Sequence, residues 1–298
     1  MAVELYHFWS SVCSVRCRMA LEEKGVPWIS RYIDLFKFDQ MKPDYLAINP
    51  RGMVPTLVHD GQPIRESSVI NEYIDAAFSG PALTPPDPLG AARMREFVFL
   101  CDEGFTAIAK LTLVKYILPK LRNRWGDDEL RKQAARRPTK FYQDFHGRAV
   151  RGEIPNEELA MARATIDELL DQLEHALAAG PWIVGETFTL ADISIAPYMF
   201  RLAALGADQF WSAARRPRVN AWYRELAARP AFQTAVSWPD ESGGGYEEVG
   251  LAAKVQAEKA VRAASSASPT GSPASSQPIA KPATGRRASM LTCARHGG

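Results

Sequence analysis

The chain has 298 residues, 46% of them hydrophobic and 23% charged, enough for one or two domains with cores of their own. Its net charge of +2 is unevenly spread: residues 249–298 hold seven Lys/Arg against one Glu, so the remainder carries −4. That mildly acidic body lacks the dense basic face that phosphate backbones require, which disfavours nucleic acid as a partner, and no run approaches the roughly 20 apolar residues that span a bilayer, which disfavours a membrane.

The cysteines, Cys13, Cys17, Cys101 and Cys293, are too few and scattered for a disulfide framework. Without clustered histidines they make no metal site either. A cytoplasmic protein is expected. The opening residues run directly into strand-like sequence and do not read as a secretory leader.

In chain order, residues 3–8 form an apolar-leaning strand and 14–24 a helix with Val15 and Met19 on one face, stopped by Gly25. Strands are expected at 28–33 and 54–58. His59-Asp60-Gly61-Gln62 then supplies an Asp-Gly turn, and 63–66 pairs back as a hairpin. Ser67 or Ser68 caps a helix through Val69, Ile70, Tyr73 and Ile74. This order, β-α-β then β-β-α, is that of a thioredoxin-like α/β domain over residues 1–80.

A Pro-rich linker at 81–88 marks a boundary. An all-α domain is expected over 89–240. It contains a long amphipathic helix at 91–118, a charged, basic-leaning connector with Pro138 at 126–151, and helices at 156–179, 189–205 and 218–228. Residues 241–298 read as a disordered low-complexity tail with a marginal Ala-rich helix at 249–264. Such sequence has too little apolar surface to offset its ordering entropy. Arg286-Arg287-Ala288-Ser289 matches a basic-directed kinase site, a short pattern that arises often by chance.

Three segments carry chemistry. In Asn49-Pro50-Arg51-Gly52-Met53-Val54-Pro55-Thr56-Leu57, a proline heads a strand although it lacks an amide donor. A cis Val54–Pro55 bond turns the Val54 main chain outward, where a peptide ligand can pair with it; an ordinary trans proline at an edge strand is the other reading. Glu66 and Ser67 at a helix start offer a carboxylate, a hydroxyl and helix amides, which suit a ligand's ammonium and carboxylate. A plain N-cap is the alternative. Third, Cys13 and Ser14 stand at the mouth of the first helix, where negative charge is stabilised: Cys13 reads as a nucleophile of lowered pKa or as a buried thiol, Ser14 as a thiolate donor or a cap.

The order and spacing of these segments resemble the glutathione site of the cytosolic glutathione transferases. Thr189-Leu190-Ala191-Asp192 is similar to that superfamily's capping box, with Phe188 and Ile193 as its hydrophobic staple. The resemblance implies that Met53 and Val54 bind the cysteinyl part of glutathione, with Pro55 cis, and that Glu66 and Ser67 hold its γ-glutamyl end. It also implies that Gln40 lies near the glycine carboxylate, and that Ser14 or Cys13 faces the sulfur. A homodimer is implied as well.

Lys37-Phe38-Asp39-Gln40, Ile48-Asn49-Pro50-Arg51-Gly52 and the run from Glu66 to Tyr73 look like the bacterial β-etherases that cleave lignin-derived β-aryl ethers. Val12-Cys13-Ser14-Val15-Arg16-Cys17-Arg18 resembles the tetrachlorohydroquinone reductive dehalogenases, whose nucleophilic cysteine matches Cys13. The first resemblance implies glutathione thiolate attacking a small aromatic electrophile and cleaving a β-aryl ether; the second, Cys13-dependent dehalogenation or thiol transfer. A non-catalytic glutathione-binding scaffold is the remaining alternative. In the etherase reading the aromatic partner is expected against Trp9, with Phe105 and Tyr116 as candidates; a core role is the alternative for these two helical aromatics.

Overall fold

The computed structural model describes residues 2–238. The expected tail at 241–298, with the helix at 249–264, Cys293 and the Ser289 motif, lies outside them.

The amino-terminal part is a four-stranded sheet. Its strands are Val3–His7 (β1), Ile29–Tyr32 (β2), Thr56–His59 (β3) and Gln62–Arg65 (β4), ordered β2-β1-β3-β4. β1 runs parallel to β2 and antiparallel to β3. The parallel pair needs a crossover, which is the helix Val12–Lys24 (α1). A short helix Pro43–Ile48 (α2) precedes β3, and Ser67–Ala77 (α3) follows β4. The β3–β4 turn takes positive φ at both Asp60 and Gly61, 49° and 77°. That is the backbone twist a two-residue Asp-Gly hairpin supplies.

His7 and Arg18 are fully buried polar residues that satisfy each other. Arg18 Nη1 donates to His7 Nδ1 at 3.1 Å, and its Nη2 donates to the Trp9 and Ala235 carbonyls at 2.7 and 2.8 Å. Arginine has no acceptor, so Nδ1 is the bare nitrogen and the Nε2 proton points to Ser30 Oγ at 2.9 Å.

The rest is helical: Pro88–Thr112 (α4), Leu118–Ala135 (α5), Lys140–Arg151 (α6), Asn156–Ala176 (α7), Leu190–Ala204 (α8), Pro217–Ala228 (α9) and Pro230–Val236 (α10). Asp87 caps α4, its carboxylate accepting the Gly90 amide at 2.7 Å. A single π-helical stretch, Leu113–Ile117, joins α4 to α5. Pro119 accounts for it, because proline has no amide to give and its ring crowds the carbonyl four residues back. Thr189 and Asp192 form the capping box expected for α8: the Asp192 carboxylate accepts the Thr189 amide at 2.9 Å and the Thr189 hydroxyl accepts the Ala191 amide at 3.3 Å.

One expectation changes. The charged connector expected at 126–151 is most of a helical hairpin, α5 and α6, broken by Gly126 at φ 71°, ψ 164°. Thr139 caps α6 and Gly152 closes it at φ 73°. Its apolar face was hard to read among so many charges, but Leu130, Ala149 and Val150 are buried against Phe36, Phe38 and Leu121 in a core of their own. No helix among the described residues is long and apolar enough to cross a membrane.

Candidate active site

The loop before β3 is held rigidly. Asn49 Nδ2 donates to the Met53 carbonyl and to Thr56 Oγ1, at 2.9 and 3.0 Å, and the Tyr45 hydroxyl donates to the same Met53 carbonyl at 2.5 Å. Gly52 sits at φ 60°, where a Cβ would stand 3.1 Å from the Gln40 carbonyl oxygen. The Val54–Pro55 peptide is cis. Neither main-chain polar group of Val54 takes a partner among the described residues.

Opposite this loop lies the start of α3. The expected serine cap is absent: Glu66 occupies the N-cap position at φ 66°, a left-handed conformation that costs a non-glycine residue about 1–3 kcal/mol. Both serines are engaged elsewhere. Ser67 Oγ accepts from Arg16 Nη1 at 3.5 Å, and the Ser68 hydroxyl donates to Asp102. The first-turn amides of α3 therefore have no side-chain cap and keep their capacity for an anion. The Glu66 carboxylate pairs with Arg51 at 2.5 Å. Val54, Pro55, Glu66 and Ser67 line one polar cleft of about 210 Å³.

A second, mostly apolar cavity of about 180 Å³ lies beside it, between α1, α4 and the α5–α6 hairpin. Cys13, Met53, Val54, Phe105 and Tyr142 border both spaces. Leu113 and Ile117, at the two ends of the π stretch, line the apolar cavity, so the local widening of the helix shapes it directly. Gln40 lines it too, with its Oε1 buried and unpartnered.

Cys13 and Ser14 are separated by the phase of α1. Ser11 caps the helix, its hydroxyl accepting the Ser14 amide at 3.3 Å. Cys13 is half-buried at the junction of the two cavities. Ser14 is fully buried, lines neither, and uses its Oγ to accept the Phe8 amide at 3.3 Å. The expected low Cys13 pKa is not what the surroundings produce: desolvation raises it, and the opposing pull of Arg16 and Ser67 is smaller.

The expected aromatic wall is only partly there. Phe105 lines both cavities. Trp9 lines neither; it is buried against Phe8, with ring centroids 5.8 Å apart. Tyr116 also lines neither, and its ring lies under the Arg201 guanidinium at 5.3 Å. Its phenol is pushed up to about 12 by burial. Four further side chains that line the cavity from the helical part, Arg137, Tyr142, Phe145 and His146, fell within the connector expected at 126–151. The four-residue spacing of Phe141-Tyr142 and Phe145-His146 after Thr139 was the signal available for them. Among the described residues no cluster of His, Cys, Asp and Glu could hold a metal.

A thioredoxin-like sheet domain with an outward-turned main chain at a cis proline, joined to a helical bundle that walls an apolar cavity, defines a class of thiol-peptide-dependent enzymes. Residues 10–77 match the family described as "Glutathione S-transferase, N-terminal domain", and residues 156–225 the corresponding C-terminal domain. The tetrachloro-p-hydroquinone reductive dehalogenase of Sphingobium chlorophenolicum is 30% identical over 256 residues, covering 81% of this chain and 98% of that protein. Protein LigF of Sphingobium sp. (strain NBRC 103272 / SYK-6) is 29% identical over 238 residues, 78% of this chain and 92% of that one. The crystal structure of LigF, described as a β-etherase, superposes with a TM-score of 0.73 at 29% identity, covering 79% of this chain and 98% of that chain. The chain belongs to the glutathione S-transferase family, and glutathione is its co-substrate.

Proposed function

We propose that this enzyme binds glutathione in the polar cleft and directs its sulfur, beside Cys13, toward an aromatic electrophile in the adjoining apolar cavity. The observation that carries this reading is the junction itself: Cys13 and the Val54 main chain border both spaces. In this arrangement Val54 pairs with the cysteinyl backbone like an added strand. The uncapped amides of α3, with Ser67 and Glu66, receive the γ-glutamyl end. Gln40 offers its amide to the glycyl end. The work of the protein is positioning and thiolate stabilisation by the first-turn amides of α1 and by Arg16.

For a β-aryl ether ketone the thiolate sulfur attacks the carbon bearing the aryl ether. A carbon–sulfur bond forms, the carbon–oxygen bond breaks, and the departing phenolate takes a proton equivalent to the one the thiol lost. The likeness to LigF supports this reading. The position of Cys13, together with the likeness to the dehalogenase, supports a second one. There the Cys13 thiolate attacks the sulfur of an aryl–glutathione conjugate. The released aryl carbanion is protonated, and a second glutathione thiolate attacks the mixed disulfide, giving glutathione disulfide and returning Cys13.

The test is turnover of wild type and Cys13→Ser with glutathione plus a β-aryl ether ketone, a halogenated hydroquinone or a mixed disulfide. Ether cleavage that survives Cys13→Ser supports direct displacement. Dehalogenation or disulfide exchange lost in that variant supports the second reading, and no glutathione-dependent turnover of any of the three overturns both.

A further inference from the structure

The apolar cavity has one chemically distinct wall. The cavity surface is mostly hydrocarbon, with Phe8, Phe36, Ile108 and Leu113 among the side chains that line it. Against them stand Arg137 and Arg201, and among the described residues no Asp or Glu lines the cavity. Arg201 has an evident task within the chain, donating to the carbonyl and hydroxyl of Ser10 and covering the Tyr116 ring. Arg137 has none. No ion pair or side-chain hydrogen bond among the described residues includes its guanidinium, although its main-chain carbonyl accepts Gln143 Nε2 at 2.8 Å.

The surroundings of Arg137 offer no counter-charge. His146, one turn beyond Tyr142 with ring centroids 6.3 Å apart, is held neutral: burial first, then Arg137, push it well below its usual range. Burial lowers Arg137 itself, to about 10, so it stays protonated at neutral pH. A part-buried guanidinium that faces a hydrocarbon surface with no carboxylate beside it pairs favourably with an anion brought by a ligand.

We propose that Arg137 is the specificity-determining contact for the second substrate, an aromatic molecule carrying an anionic oxygen, whose ring lies against the Phe8–Leu113 surface while its carboxylate or phenolate pairs with Arg137 beside the Tyr142 hydroxyl. The inference rests on the two-cavity reading above. The glycyl carboxylate of glutathione is the other source of the same chemistry, because Pro138, next to Arg137, comes within 3.3 Å of a Cβ built on Gly52 at the rim of the cleft.

The experiment is calorimetric titration of the full chain with 4-phenoxybenzoate and with its neutral amide, each with and without saturating S-methylglutathione, an unreactive stand-in for the co-substrate. Wild type should bind the carboxylate at least about tenfold more tightly than the amide, one modest charge-assisted bond. Arg137→Gln should bring that ratio to within about twofold, Arg137→Lys should keep most of it, and S-methylglutathione should not displace the probe. Equal affinities in wild type, or an undiminished ratio in Arg137→Gln, overturn the proposal. Displacement of the carboxylate by S-methylglutathione assigns Arg137 to the glycyl end and overturns it too. These are binding ratios, so they stand apart from the transferase reading, which fails separately if no neutral electrophile is turned over with glutathione.

Discussion

The Arg16 guanidinium on α1 meets the Asp102 carboxylate on α4 at 2.6 Å, and through it the two lobes share the wall of the polar cleft. Arg16 is 1% exposed and also donates to the Ser194 carbonyl at 2.7 Å, while Asp102 in turn receives the Ser68 hydroxyl. Removing the carboxylate leaves a buried cation half-satisfied and frees Ser68 at the mouth of α3, while Ser67 keeps its Arg16 donor. Because Asp102 is itself partly exposed, Asp102→Ala should cost about 1.5–3 kcal/mol in urea unfolding, less than a fully buried pair. It should raise KM for glutathione more than it lowers kcat. Unchanged KM would separate this network from the cleft.

Ser14 behaves as part of the packing. With its Oγ accepting the Phe8 amide out of contact with either cavity, Ser14→Ala should lower unfolding free energy by about 1–2 kcal/mol by orphaning that amide. Turnover per folded molecule should change by less than about threefold, a difference under 1 kcal/mol in transition-state stabilisation. A loss of a hundredfold or more in kcat without destabilisation would restore Ser14 to the chemistry.

His7 sets a dependence of stability on pH. Burial and Arg18 hold its pKa down to about 2, against 6.5 for the free side chain. A depressed pKa means that the stabilising contribution is complete above the unfolded value and is lost as pH falls below it, because only the unfolded chain takes up the proton. Between pH 6.5 and 5 the loss is about 2 kcal/mol. Asp192 works the other way: burial raises its carboxyl to about 6, so its contribution is fully present below 3.8 and is lost as pH rises through 6. The two partly cancel near pH 5–6. His7→Gln should therefore remove the acid-side loss, read as a smaller drop in urea midpoint from pH 7.5 to 5 than wild type shows; an identical drop would refute the assignment.

Asp192 also anchors the helical lobe. Its carboxylate accepts the Thr189 and Ile183 amides and the Trp222 Nε1 proton at 2.9, 3.2 and 2.8 Å, all in the core. Asp192→Ala strands these donors and removes the capping box, so about 3–5 kcal/mol of unfolding free energy should disappear. Asp192→Asn should retain part of it, because the amide oxygen still accepts. Thermal unfolding of both variants at pH 7 checks the order.

What was legible in the sequence was local. The Asp60-Gly61 hairpin, the cis Val54–Pro55 segment and the Thr189–Asp192 capping box each arise from residues within a few positions of one another, and such chemistry survives in any surroundings. The strand and helix order of the first lobe follows from the same short-range signals.

Tertiary structure decided which side chains meet the ligand. Neighbouring residues on a helix differ by about 100° in direction, so only the docking of α1 on the sheet turns Cys13 toward the cavities and Ser14 to the Phe8 amide. The same applies across long separations. Trp9 and Tyr116 are drawn aside by packing partners, while Arg137, Tyr142 and His146 are brought some 130 residues back to Cys13 by a hairpin whose charges hid its apolar face. Burial and direction are properties of the packed whole, because each depends on surfaces contributed by segments far apart in the chain.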